Sequence, residues 1–179
     1  MELFDAIKER YSYRGAYLRK PVPEADLMKI VQAGLDAPSG KNLQTTKFVI
    51  INDIGKLAKL WKVFSGQSFI ETAPAFIAVI IDDNPQAAPG YAYSFDIEDA
   101  SAATQNILLA ITALGYTSVW LDGVLRFEQR AEKIGKIIGL PDSKKVRVLL
   151  PVGIAAENGP RKQKQPFPER VWFNSWGPD

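Results

Sequence analysis

The sequence predicts a mixed α/β or α+β sandwich built as a single domain. Short, β-branched apolar runs alternate with stretches of helical hydrophobic period, and Gly, Pro or Asn mark most of the junctions. The chain has 179 residues, 46% of them hydrophobic. At that length a single core buries roughly 70% of the unfolded chain's surface.

From the N-terminus, Leu3, Phe4, Ile7 and Tyr11 recur at helical spacing among charged residues, so residues 2–10 form a short amphipathic helix. Pro21-Val22-Pro23 opens a second helix over 24–36, with Leu27, Ile30, Val31 and Leu35 on one stripe and the breakers Ala37-Pro38-Ser39-Gly40 at its end. Residues 47–51, Lys-Phe-Val-Ile-Ile, read as a strand buried on both faces. Asp53 is placed to cap a helix carrying Leu57, Leu60, Trp61 and Phe64. Residues 75–81 read as another central strand, and 82–93 as a Pro-, Asn- and Gly-rich loop.

The long helical pattern over 97–114 is rich in Ala, Ser and Thr, which permits close approach to another backbone at the centre of the fold or at a subunit interface. Gly115 is placed as its C-terminal cap. A strand over 117–121, a turn at Asp122-Gly123, a helix from about 127 to 138 capped by Gly139 and a last strand over 146–154 complete the body. A tail rich in Pro and Lys follows and ends in Trp172-Phe173-Asn174-Ser175-Trp176.

Composition restricts the chemistry sharply, because the chain contains neither Cys nor His. Disulfides, thiolate nucleophiles, redox Cys pairs, iron-sulfur and zinc-thiolate sites are excluded, so electron transfer would need a bound organic cofactor. The Ser-His-Asp triad and imidazole metal ligands are excluded as well. A net charge of +2 does not point to nucleic acid or membrane as a bulk partner, but it leaves room for a local anion site. The apolar runs are too short to span a bilayer, and acidic residues stand where a signal peptide needs basic ones, so the expected location is the cytoplasm.

Four segments could carry chemistry. In Arg10-Tyr11-Ser12-Tyr13-Arg14, an extended backbone would turn Arg10, Ser12 and Arg14 to one side, where two guanidinium forks and a hydroxyl suit a phosphate. A solvated loop with chance spacing is the plainer reading. Pro38-Ser39-Gly40-Lys41-Asn42 offers amides and hydroxyls to the polar edge of a heterocycle, although an ordinary turn uses the same residues. Leu121-Asp122-Gly123 ends in a glycine that lets a ligand approach the backbone, or that only serves a tight turn. The basic run at 161–164 suits either a solvated tail or an anion contact. No dinucleotide fingerprint, P-loop or nucleophile elbow is present.

In their joint order these segments resemble the nitroreductase family of FMN-dependent oxidoreductases, specifically its short members, over essentially the whole chain. The landmarks are Arg10-x-Ser12-x-Arg14, Pro21-Val22-Pro23, the segment Ala37 to Gln44, Ala73-Pro74, Gln105-Asn106, Ala113-Leu114-Gly115-Tyr116 leading to Trp120, Gly139-Leu140-Pro141 and Phe173-Asn174-Ser175-Trp176-Gly177.

The resemblance implies a dimeric three-layer α/β/α sandwich with a mixed, mostly antiparallel central sheet. It would be one FMN-binding domain over 1–179, whose tail, 155–179, packs on the partner subunit. It also implies an FMN in a cleft between subunits. Arg10, Tyr11, Ser12 and Arg14 would hold the phosphate and ribityl chain, with Lys162 and Lys164 closing over the phosphate. Pro38, Ser39, Gly40 and Asn42 would come from the partner. Leu121, Asp122 and Gly123 would line the isoalloxazine, with Gly123 N–H donating to N5 as the catalytic contact, and Gln67 would be a candidate for the pyrimidine edge.

The implied reaction is ping-pong hydride transfer from NAD(P)H to a small-molecule acceptor such as a nitroaromatic or quinone. Dehalogenation or dehydrogenation on the same flavin scaffold, or flavin binding without turnover, would share these motifs. Two residues depart from the family pattern. Tyr11 replaces a frequent basic residue, and Lys164 stands where Arg is common, giving a point charge for a fork.

Overall fold

The computed structural model describes residues 1–177, so the last two positions of the expected tail lie outside the described residues. Its sheet has the order β1-β2-β3, with β1 at Lys47–Ile51, β2 at Ala75–Asp82 and β3 at Lys144–Val152, all paired antiparallel. Only β2 is central and fully buried; β1 is an edge strand and half-buried, not covered on both faces as its apolar sequence predicts.

Alternation along β2 divides the core. Phe76, Ala78 and Ile80 join Leu57, Leu60 and Phe64 on one face. Ala75, Ile77, Val79 and Ile81 join Leu27, Ile30, Ala100 and Ile107 on the other. The helices involved are α2 (Glu24–Leu35) and α5 (Asp96–Ala113) on the second face, and α3 (Ile54–Val63) and α6 (Arg130–Ile138) on the first. The close helix approach expected from the small residues of α5 is met by Gly34 of α2, where an added Cβ would fall 2.7 Å from Ile107 Cδ1. Asp53 caps α3 by accepting from Lys56 N–H at 2.9 Å, and Gly115 and Gly139 end α5 and α6 at φ +83° and +75°.

Two further expectations are corrected. The fourth strand, 117–121, is not continuous: Thr117 pairs with Gly153 and Leu121 with Leu149, and midway between them Val119 faces Pro151. Proline has no N–H to give, so the ladder fails at that rung. The last helix starts at Arg130, not 127, because Glu128 and Gln129 adopt φ of +55° and +54° and cannot belong to a right-handed helix. The stripe of α1 (Leu3–Glu9) is not in this chain's core: Ala6 is buried, whereas Phe4 is 82% exposed. A short helix α4, Ser68–Glu71, has no counterpart in the sequence reading. Among the described residues, no helix is long and apolar enough to cross a membrane.

Candidate functional site

The segment after α1 is extended, and burial of Tyr13 fixes its orientation. The Tyr13 ring is wholly enclosed, its hydroxyl donates to the Ala16 carbonyl at 2.6 Å, and its N–H donates to the Ser118 carbonyl at 2.9 Å. With Tyr13 turned inward, alternation turns Ser12 and Arg14 outward. Together with Lys8 and Arg10 they line a cavity of about 940 Å³, and Lys162 and Lys164 from the tail line its other side. Arg10, Ser12, Arg14, Lys162 and Lys164 thus border one space. None of the cations Arg10, Arg14, Lys162 and Lys164 has an ion-pair partner among the described residues. Gathering unpaired cations costs repulsion that a bound polyanion would relieve.

The chain leading to Gly123 touches this segment at Ser118, but Leu121, Asp122 and Gly123 do not line the basic cavity; Asp122 lines a separate hollow of about 440 Å³ with Arg126 and Arg147. Ser12 and Ser118 form a parallel bridge, and the chain continues through Leu121, which is buried and bridged to Leu149. Asp122 is held from two sides: Arg147 Nη1 donates to Oδ1 at 2.6 Å, and Arg126 donates through Nε and Nη2 at 3.0 Å each. The hydrogen bonds from Arg126 to Asp122, reinforced by its charge, push the guanidinium further up from an already high value. Gly123 is exposed at the start of a short 3-10 turn, Gly123–Arg126, with no atom within 4 Å of where a Cβ would stand. A flat ring can therefore approach this backbone closely.

The Pro38-to-Gln44 loop is built differently. Lys41, Asn42 and Gln44 take φ of +54°, +55° and +51°, a region costly for residues with a side chain. The loop holds itself together through Asn42 N–H to the Ser39 carbonyl at 2.9 Å and Gln44 N–H to Ser39 Oγ at 3.2 Å. It is tied to the body by Gly40 N–H donating to Asp99 Oδ1 at 2.8 Å. Gly40 lies so close to Phe95 that a Cβ would fall 2.3 Å from the ring. Asp99 is buried and its Oδ2 has no partner. Burial raises its pKa above the ordinary carboxylate value, the Gly40 N–H opposes that, and the charges of Asp96 and Glu98 add to the rise.

Pro38 and Ser39 line a separate hollow of about 340 Å³ with Phe48 and Asp99, and this hollow shares no lining residue with the basic cavity. Within one chain, then, Pro38, Ser39, Gly40 and Asn42 are not brought to Arg10, Ser12 and Arg14. Gln67 is half-buried at the start of α4 and lines neither space. Sequence reasoning missed Asp99 and Phe95, whose only signal was an acidic, aromatic helix start. It also treated Arg161 as one more tail cation, whereas Arg161 pairs with Glu9 at 2.6 Å and lies over the Tyr11 ring.

The chain matches the profile of the nitroreductase family over residues 7–154. It is 32% identical over 176 residues to a protein of Methanothermobacter thermautotrophicus provisionally named an NADH dehydrogenase/NAD(P)H nitroreductase, covering 98% of this chain and 88% of that one. A protein of Bacteroides thetaiotaomicron with the same provisional name has a crystal structure of TM-score 0.81 and 30% identity, covering 97% of this chain and 98% of that one. A nitroreductase of Bacteroides fragilis, solved with bound FMN, shares 25% identity at a TM-score of 0.78, covering 98% and 100%.

Proposed function

The chain belongs to the nitroreductase family of FMN-dependent NAD(P)H oxidoreductases, and we propose that it passes hydride from NAD(P)H to a nitroaromatic, quinone or similar acceptor by a ping-pong cycle. The observation that carries the reading is the basic cavity, where Arg10, Arg14, Lys162 and Lys164, without ion-pair partners among the described residues, share a space with Ser12 as a dianionic phosphate requires. FMN, when bound, accepts hydride at N5 and returns it to an acceptor, so the protein supplies position and electrostatics.

Arg10, Ser12 and Arg14 hold the phosphate and ribityl chain, with Tyr11 behind them. Lys162 and Lys164 close the phosphate end. Leu121, Asp122 and Gly123 would line the ring of a bound FMN, with Gly123 N–H the candidate donor to N5; the open space over Gly123 supports that placement. Arg126 and Arg147 keep Asp122 paired, so that it adds no bare negative charge beside an electron-accepting ring. Pro38, Ser39, Gly40 and Asn42 act from a second copy of the chain, because in their own chain they lie apart from the cavity.

The exposed aromatics support a homodimer in which α1 and the tail pack on the partner: Phe4 is 82% exposed, Phe173 79% and Trp176 89%. Helix pairs on the two faces of the sheet support the three-layer arrangement. Gln67 remains the candidate for the pyrimidine edge, and protons come from solvent or substrate, since the chain has no His.

Anaerobic titration of the purified, yellow protein with NADH and with NADPH tests the reading. Bleaching of the flavin absorbance by either, followed by recovery on adding a quinone or nitroaromatic, is expected. Flavin that stays oxidised with both donors refutes it. Light scattering checks the dimer.

A further inference from the structure

Tyr11 lies between Arg10 and Ser12 in the motif that lines the basic cavity, and Arg161 starts the basic run of the tail. The Arg161 guanidinium carbon stands 4.9 Å from the centre of the Tyr11 ring, within cation–π range, and its Nη2 lies 2.6 Å from Glu9 Oε2. Upstream, the tail is pinned by Ala156 N–H donating to the Ala16 carbonyl at 2.9 Å. It then crosses the aromatic pair closely: a Cβ on Gly159 would fall 3.1 Å from both Tyr11 Cε2 and Tyr13 Cδ2, so a side chain there would press on both rings. Tyr11 is in turn set edge-on against buried Tyr13, at 6.2 Å between ring centres.

Arg161 also borders the cavity, but its guanidinium is held on the α1 side by the ion pair and the ring, while Lys162 and Lys164, just beyond it, line the cavity with no ion-pair partners among the described residues. Its charge also offsets Glu9, the acid adjoining Arg10. We propose that Glu9, Tyr11 and Arg161 form a latch of positioning residues that fixes Lys162 and Lys164 over the phosphate end of the cavity, making the site selective for a phosphorylated flavin over its unphosphorylated counterpart. The inference rests on the flavin reading and deepens it. Tyr11, in the place of a frequent basic residue, gives up a direct charge contact and instead carries a cation that aims two others.

The test compares binding of FMN and riboflavin to the deflavinated protein by fluorescence titration. Arg161→Gln and Tyr11→Leu should each weaken FMN binding about three- to tenfold while leaving riboflavin binding unchanged, the size expected for an exposed ion pair and a cation–π contact. Tyr11→Phe keeps the ring face under Arg161 and should weaken FMN binding less than Tyr11→Leu does. In a Lys162→Gln/Lys164→Gln background, Arg161→Gln should have no further effect, because the latch acts through those lysines. Equal loss for FMN and riboflavin, no loss at all, or an undiminished Arg161 effect without the lysines overturns the latch while the flavin reading stands. Failure of the unaltered protein to bind either flavin overturns both.

Discussion

The basic cavity and the Pro38-to-Gln44 loop handle charge and strain in opposite ways. At the cavity, cations from two distant parts of the chain stand solvated, and among the described residues unpaired, with no left-handed residue in the segment that carries Arg10 and Arg14. In the loop, three residues with side chains hold left-handed conformations, and a buried carboxylate grips the backbone from behind. The cavity is poised to gain by binding an anion; the loop spends stability to present a fixed polar edge. The two share no lining residue in one chain.

The largest expected effect breaks the cavity side. Arg10→Ala with Arg14→Ala removes charge-assisted contacts worth about 1.5–3 kcal/mol each, and the protein should purify without flavin. Equilibrium FMN titration checks it, and unchanged retention would put the phosphate elsewhere. The next breaks the loop side. Gly40→Ala drives a methyl into Phe95 and should destabilise the fold by about 1–3 kcal/mol, read as a lower midpoint in denaturant.

Gly123→Ala sharpens the contrast from between the two regions. Open space at the Cα predicts stability within about 0.5 kcal/mol of the unaltered protein, yet a several-fold weaker hold on flavin, measured on the same samples.

The smallest effect concerns Asp99. Because its pKa is raised on folding, the native state holds the proton more tightly than the unfolded chain, so Asp99 costs stability as pH rises through that raised pKa. Asp99→Asn can still accept from Gly40 N–H but carries no charge. Its melting temperature relative to the unaltered protein should therefore be more favourable at pH 7 than at pH 4. A pH-independent difference would show that Asp99 titrates as it does unfolded.

Much of the architecture was legible because periodicity and caps act locally: Asp53, Gly115 and Gly139 end or begin their helices where the sequence places them. Burial of β1 was not legible, since an edge strand beneath half a layer has the same apolar composition as a central one. The broken ladder at 117–121 was not either, because its cause, Pro151, lies on the partner strand far along the chain. On the cavity side, alternation alone placed Arg10, Ser12 and Arg14 together. The role of Arg161 depended on which neighbours the fold supplied, Glu9 and Tyr11, and the spacing of charges does not encode that.

The missing rung at Pro151 also has a dynamic consequence. With one bonded pair at each end and an imino nitrogen between, residues 117–121 can detach from β3 without disturbing β3's own ladder to β2. The backbone leading to Gly123 is then its own opening unit, and its amides should exchange with deuterated solvent sooner than those of β2, which stays paired on both sides.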